Sequence, residues 1–160
     1  MIVGLTGGIG SGKSTILECF KSFGIPVYIA DDEAKKLMNR SKVIKRKLKN
    51  LLGEKAYVDE QLNRPYLASK IFNDKTLLSK MNAIVHPKVA SHFNHWLNNQ
   101  DSEYVIKEVA IIFENNLQDQ YDYIITVVAD EDLRKQRVMK RDNVSREKVE
   151  AIMKNQWSDA

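Results

Sequence analysis

The sequence predicts an open α/β fold on a parallel sheet, and three observations lead there. A glycine-rich turn joins an apolar strand candidate to a helical pattern at the start of the chain, a second apolar run follows that helix, and two strand-like runs return after a long helical stretch. A strand, helix and strand in so short a span make a βαβ unit, whose crossover is right-handed. The 160 residues suffice for one domain with a sizeable core and small appended parts.

The first strand is Ile2 to Leu5, within the opening MIVGLTGGIGSGKST. Five of the seven glycines fall in the first twelve residues. Gly7 to Ser14 matches the phosphate-binding P-loop pattern, in the strand-to-helix context that the pattern requires. The glycines of this stretch let the backbone turn tightly with positive φ, so that successive N–H groups, with Gly8, Gly10, Ser11 and Gly12 among the expected binding residues, point inward at an anion. The helix opening near Ser14 and Thr15 adds its positive dipole end. Lys13 is expected on the β- and γ-phosphates and the Ser14 hydroxyl on Mg²⁺, so the expected ligands are ATP or a similar triphosphate with Mg²⁺. A ligand-free glycine turn is the alternative, which the complete motif disfavours.

Ile16, Leu17, Phe20 and Phe23 recur at helical spacing, so the first helix is predicted from Ser14 to Phe23, stopped by Gly24. Ile25 to Ala30 reads as the second strand. At its carboxyl end come Asp31, Asp32 and Glu33, where open α/β sheets bind ligands. An acid there can take a proton from an attacking hydroxyl, or simply begin a helix whose dipole favours negative charge. Asp31 is the best placed for chemistry; Asp32 and Glu33 read as helix-start residues.

Residues 32–100 read as helical, with no strong strand. Val43, Ile44, Leu48 and Leu51 mark one helix, Asn63, Arg64 and Pro65 open another, Leu77 to Val85 form a third run, and Pro87 opens a fourth. An insertion this long suggests a small helical substrate domain. The basic run Lys42, Lys45, Arg46, Lys47 and Lys49 reads as a solvated helix face rather than a phosphate site. His86 precedes the helix-opening proline, and His92 and His95 have no companions at metal-ligand spacing.

Tyr104 to Ile112 returns to strand composition, with Glu108 where an acid holds a metal's water shell and Lys107 interrupting the apolar run. Tyr123 to Val128 reads as a buried strand. Asp130 caps a helix whose Arg134, Arg137 and Arg141 share one face, a phosphate-facing lid. Ser145 caps a last helix, with Val149, Ile152 and Met153 on its apolar side and Arg146 in its first turn.

The composition, 43% hydrophobic and 29% charged, is ordinary for a globular chain. The net charge of +4 suits a protein that handles polyphosphates and is too small to argue for nucleic-acid binding. The single cysteine, Cys19, cannot pair internally, and no apolar run reaches the length of a membrane span, so no membrane partner and a cytoplasmic location are expected. A nucleotide switch is excluded by the lack of an Asp three residues before Gly24 or Gly53 and of Asn-Lys-x-Asp.

With these residues in place, the chain resembles the dephospho-coenzyme A kinases along its whole length. IVGLTGGIGSGKST is similar to that family's P-loop, GIPVYIADDEA to its strand-and-acid signature, and RVMKRDNVSRE, with Arg137, Arg141 and Arg146, to its lid. The resemblance implies a P-loop NTPase three-layer αβα fold with a parallel sheet, a helical substrate-binding insertion and a helical lid. Its implied parts are a nucleotide-binding core of residues 1–31 and 101–130, a dephospho-coenzyme A-binding part of 32–100 and a lid of 131–160. The implied reaction moves the γ-phosphoryl of ATP to the ribose 3′-hydroxyl of dephospho-coenzyme A. In it Asp31 is the base, Lys13, Arg137 and Arg141 stabilise the transferring group, and Ser14 and Glu108 hold Mg²⁺. Arg64, His86 and Glu114 sit at positions that echo the family's and are assigned to the acceptor. The competing enzyme reading is a small P-loop kinase for a nucleoside monophosphate or shikimate; a monomer or weak homo-oligomer is expected. Where family members often have two acids flanking an alanine, this chain has Ile29, Ala30 and Asp31, so Asp31 serves alone. Ala110 stands where the family has proline, and family members usually continue past Ala160 with another strand and helix.

Overall fold

The computed structural model describes residues 1–72, 74–154 and 156. In chain order the elements are β1 (Ile2–Thr6), α1 (Lys13–Ser22), β2 (Val27–Ile29), α2 (Ala30–Arg40), α3 (Lys42–Leu52), β3 (Tyr57–Val58), β4 (Gln61–Leu62), α4 (Arg64–Ile71), α5 (Lys75–Leu97), β5 (Val105–Glu108), β6 (Tyr123–Thr126), α6 (Glu131–Asp142) and α7 (Arg146–Met153). They gather into two compact units: residues 1–29 with the chain from 100 on, and residues 30–99.

The first unit is built on four parallel strands in the order β2-β5-β1-β6. Ile29, Glu108 and Leu5 share one row of the register, so β2 and β5 end together and β1 one residue later, and their following loops leave from one edge. That edge is where α/β sheets bind ligands. α1 covers the face on which Val3, Leu5, Leu17 and Ile106 form a core, with Phe20, Ile25 and Val27 packed around it. Gly4 faces the other way, where an added β-carbon would lie 2.9 Å from the Ile112 side chain and from the Tyr121 ring. Only a glycine lets those two groups approach mid-strand.

Several expectations for this unit are corrected. Ile16 and Phe23, read as part of the first helix's apolar face, are 36% and 76% exposed, so that face narrows to Leu17 and Phe20. β2 is shorter than the run Ile25 to Ala30, because Pro26 has no N–H to give a ladder and Ala30 already belongs to α2. β5 ends at Glu108 rather than Ile112; Val109 still donates to the Leu5 carbonyl (3.1 Å), after which the chain turns and Ile112 is buried from a turn. β6, expected as a buried strand, lies at the end of the strand order, with Tyr123 66% and Ile125 37% exposed. Its β-branched composition reports fit to a pleat, not burial. Ile152, expected on the apolar side of the last helix, is exposed, whereas Val149 is fully buried.

The helix starts are made as the sequence suggests. The Asp130 carboxylate accepts from the Leu133 N–H (3.1 Å) and the Ser145 hydroxyl from the Lys148 N–H (3.4 Å), each satisfying a first-turn donor. α6 and α7 are tied by Lys135, whose ammonium lies 2.6 Å from Glu131 and 3.3 Å from Glu150.

The second unit holds α2 to α5 and the antiparallel pair β3–β4. α3 buries Ile44, Leu48 and Leu52, one stripe at four-residue spacing, and Asn63 caps α4 by accepting from Tyr66 N–H (3.2 Å). The two helices expected on either side of Pro87 are one, α5, with the proline inside it. Met81, Val85, Val89 and Phe93 form a buried stripe that continues across Pro87, and packing of that stripe outweighs the lost backbone hydrogen bond. The β3–β4 hairpin was not expected, since its two turn residues, Asp59 and Glu60, are not glycine yet have φ of +48° and +64°. Lys45 offsets that strain by donating to both the carbonyl (2.7 Å) and the carboxylate (2.8 Å) of Glu60.

Candidate active site

β1 delivers the chain directly into the loop, and Gly10 and Gly12 take φ of +79° and +109° there. Gly12 then begins α1 with no side-chain cap, so no side chain competes with an anion for the start of α1, although the Thr15 N–H already donates to the Gly12 carbonyl (3.0 Å). A cavity of about 250 Å³ opens at this point, lined by residues 10–15 and, from α6, by Arg137, Val138 and Arg141. The sequence-predicted residues Gly10, Ser11, Gly12, Lys13, Ser14, Thr15, Arg137 and Arg141 are thus brought together around one space. Gly8 lies beneath it, buried.

The donors and charges of this cavity fit a polyphosphate. Lys13 Nζ donates to the Gly7 carbonyl (2.6 Å) and more weakly to that of Gly8 (3.3 Å), which holds the ammonium against the loop. The Ser11 hydroxyl is buried with no hydrogen-bond partner among the described residues, a group that an additional acceptor would satisfy. Arg137 Nη1 donates to the carbonyls of Gly10 (3.3 Å) and Ser11 (3.4 Å). Arg141 lies at the rim, and its guanidinium donates through Nε and Nη2 to the two carboxylate oxygens of Asp142 at 2.7 and 2.8 Å. That pairing raises Arg141 and holds the Asp142 carboxyl below its usual range.

The arginine stripe read from the sequence is split by the structure. Arg134 does not line the cavity: it is 5% exposed, and its Nε donates to the Ile9 carbonyl (3.0 Å). α6 is pressed so closely on the loop that the third arginine turns under it.

For a metal, the Ser14 side chain is exposed at the cavity, and Glu108 is 7% exposed at the carboxyl end of β5. No group of three His, Cys, Asp or Glu that could hold a metal occurs among the described residues. A hydroxyl and one carboxylate are a donor set suited to Mg²⁺, which is bound by few protein groups together with phosphates and water. Beside Glu108 on β5, Lys107 is half-buried with its ammonium 5.5 Å from the Tyr121 ring centre, and burial lowers its pKa. Burial first, and then the negative charge of Glu108, push the Tyr121 phenol up to about 12. Its hydroxyl has no partner among the described residues.

In the second unit Asp31, Asp32 and Glu33 form the first turn of α2. Asp32 pairs with Lys35 (3.0 Å) and Glu33 with Lys36 (2.6 Å), both as helix-face pairs. Asp31 is exposed and has no ion pair or side-chain hydrogen bond among the described residues. Arg64 is exposed at the first position of α4, and His86 is exposed on α5. Glu114, in the first unit, is half-buried in the turn region after β5. The basic face of α3 borders a separate hollow of about 380 Å³, but Lys45 is taken by Glu60 and Lys49 by Glu54 (2.9 Å).

Sequence reasoning missed the two side chains that grip the loop from outside, Arg134 and Gln156, and the carboxylate that occupies Arg141. Arg134 was visible only as a member of a stripe. Gln156 carries no sequence signal; its Oε1 accepts from the Ile9 N–H at 2.8 Å across 147 residues of chain.

Comparison with known proteins agrees with this geometry. The family model described as dephospho-CoA kinase matches residues 1–160. The dephospho-CoA kinase of Bacteroides fragilis is 39% identical over 158 residues, covering 98% of this chain and 77% of that one. That of Porphyromonas gingivalis is 38% identical over 154 residues, covering 96% and 76%. Among solved structures, TT1252 from Thermus thermophilus superposes with a TM-score of 0.89 at 34% identity, covering 98% of this chain and 80% of its own. The dephospho-CoA kinase from Campylobacter jejuni shares the fold, with a TM-score of 0.67 at 24% identity and coverage of 97% and 79%. The P-loop, the parallel sheet behind it and these matches over nearly the full chain have one reading: the chain belongs to the dephospho-CoA kinase family.

Proposed function

We propose that this chain transfers the γ-phosphoryl group of ATP to the ribose 3′-hydroxyl of dephospho-coenzyme A, giving coenzyme A and ADP. The observation that carries the proposal is the cavity between residues 10–15 and the guanidinium groups of Arg137 and Arg141, in a chain of this family. Bound Mg-ATP would supply the transferable group, and its metal would offset charge on the phosphates.

The protein's part is positioning and charge. Lys13 exchanges the carbonyls of Gly7 and Gly8 for a phosphate oxygen, and the N–H groups at the start of α1 hold the neighbouring oxygens. Arg137 and Arg141 offset charge on the transferring group. Ser14 and Glu108 would hold the metal. Asp31 accepts the proton of the 3′-hydroxyl; what supports this is that, among the described residues, it alone of the three acids opening α2 is without an ion pair. Arg64 and His86, both exposed, and Glu114 bind the acceptor. In this reading residues 1–31 and 101–130 bind the nucleotide, 32–100 bind dephospho-coenzyme A, and 131–160 act as a lid that keeps water from the phosphoryl group; residues 155 and 157–160 lie outside the described residues.

No described helix is long and apolar enough to cross a membrane. A cytoplasmic location, a monomer or weak homo-oligomer and the lack of a nucleic-acid partner complete the proposal, supported by the modest net charge of +4.

The test is ADP release from Mg-ATP with dephospho-coenzyme A, AMP, CMP or shikimate as acceptor. Release with dephospho-coenzyme A alone is expected. Faster release with AMP, CMP or shikimate overturns the assignment of substrate.

A further inference from the structure

The tip of the phosphate-binding loop is held by side chains that come from far along the chain. The Ile9 carbonyl accepts from Arg134 Nε (3.0 Å), 125 residues away, and the Ile9 N–H donates to Gln156 Oε1 (2.8 Å). The Arg134 guanidinium also lies against Gly8: a β-carbon on Gly8 would collide with its Nη2 and Cζ. Gly10 in turn rests on the Arg134 backbone, where a β-carbon would be 2.6 Å from the Arg134 carbonyl oxygen and 2.9 Å from Val138 Cγ2. Arg134 is 5% exposed and Val138 1%. A buried guanidinium that does not line the cavity and lies against the back of the loop is placed to hold the loop rather than a phosphate.

We propose that Arg134, with Gln156, is a positioning residue: the two clamp the Ile9 peptide and so set the loop's anion-binding shape before nucleotide arrives. The inference rests on the reading of this loop as a nucleotide site. Backbone N–H groups bind phosphate well only if they already converge, since otherwise binding must order them. In this chain the ordering is supplied from behind. A second consequence is that α6 and the loop shift together, so Arg137 and Arg141 keep their register with Lys13 whatever else in 131–160 moves.

The test compares the 160-residue chain with Arg134→Met, Arg134→Lys and Gln156→Ala, measuring binding of a fluorescent ADP analogue, the KM for ATP and kcat. Arg134→Met keeps the aliphatic stem and removes the donor and the planar group. Loss of one charge-assisted hydrogen bond to a buried carbonyl predicts about 10- to 100-fold weaker nucleotide binding, with a matching rise in KM for ATP. The KM for dephospho-coenzyme A should stay unchanged and kcat should fall less than affinity. Arg134→Lys, which can still donate to Ile9, should recover part of the loss, and Gln156→Ala should weaken binding in the same direction by a smaller factor.

A readout without nucleotide keeps the test independent of folding and of the proposed reaction. The Ser11 N–H donates to the Gly8 carbonyl (3.2 Å), and its hydrogen exchange should speed up about tenfold or more in Arg134→Met while exchange in β1 and β5 is unchanged. Unchanged ADP affinity and unchanged Ser11 exchange in a folded Arg134→Met variant overturn the proposal. A wild-type chain that binds ADP but phosphorylates no acceptor overturns the proposed function instead, and leaves the clamp standing.

Discussion

Replacing Asp142 by Asn is expected to lower the KM for ATP, an unusual direction for a substitution beside an active site. Arg141 rims the cavity, yet its guanidinium is occupied by both Asp142 oxygens at 2.7 and 2.8 Å. A phosphate that reaches Arg141 must first displace that carboxylate, so apparent affinity is reduced by the fraction of molecules in which the arginine is free. The side chains are 59% and 40% exposed, which places the pair among surface ion pairs despite its two-point geometry. Pairs of that class shift an equilibrium by a factor of about 1.5 to 5. Asn keeps the shape and one acceptor but loses the charge, so KM should fall by about that factor in low salt, with kcat little changed. Salt screens exposed charges beyond about 10 Å at 0.1 M, and the advantage should shrink as salt is added. Initial rates of ADP release against ATP concentration, at low and at high salt, measure it. A rise in KM would refute the reasoning, because it would mean that Asp142 aims Arg141 at the nucleotide rather than competing with it.

Three other substitutions test separate parts of the argument. Asp31→Asn should slow phosphoryl transfer by about 10²- to 10⁴-fold, the usual contribution of a general base, while ADP-analogue binding stays unchanged; near-normal turnover would remove Asp31 from that role. Tyr121→Phe removes a buried hydroxyl that has no partner among the described residues and should stabilise the fold by about 1 kcal/mol in urea titrations. The sign with pH follows from the phenol's rise to about 12: above pH 10 the unfolded chain loses a proton that the folded one keeps. Wild-type stability therefore drops between pH 10 and 12 by an increment that Tyr121→Phe lacks, and a variant less stable than wild type at neutral pH would show that the hydroxyl is satisfied. Pro87→Ala, at an exposed position inside α5, should raise the urea midpoint by restoring a helical hydrogen bond, an effect of about 1 to 3 kcal/mol; a lowered midpoint would mean that the proline shapes a bend on which the packing of Met81 and Phe93 depends.

The elements that were legible are those whose cause is local. Asp130 and Ser145 open helices because a short acceptor side chain meets an N–H three residues on, and that pairing needs no information from elsewhere. Pro87 misled for the converse reason. Read locally it starts a helix, and only the stripe of Met81, Val85, Val89 and Phe93 on the far side shows why the helix runs through it. The hairpin at Asp59 and Glu60 was invisible because its turn is held by Lys45 from another element, in place of the glycine that normally announces such a turn. β6 was misjudged because the same β-branched run suits a central strand and an edge strand, and position in the sheet is not written in the run.

The same division separates what could and could not be read of the site. The loop's composition specifies which backbone groups face an anion: Gly10 and Gly12 reach φ values that other residues rarely adopt, and Lys13 and Ser14 follow at fixed offsets. Composition does not specify what keeps those groups facing inward when the anion is absent. Here that restraint comes from Arg134 and Gln156, joined to Ile9 across 125 and 147 residues. Arginines spaced on one helix face look alike in sequence, but the face of α6 is divided by depth: the one that meets the loop's back is buried against Gly8, and Arg137 and Arg141, one and two turns on, reach the cavity. A one-turn displacement along a helix thus separates an arginine that holds the loop's shape from those placed to contact its ligand, and the difference appears only when the loop and the helix are seen together.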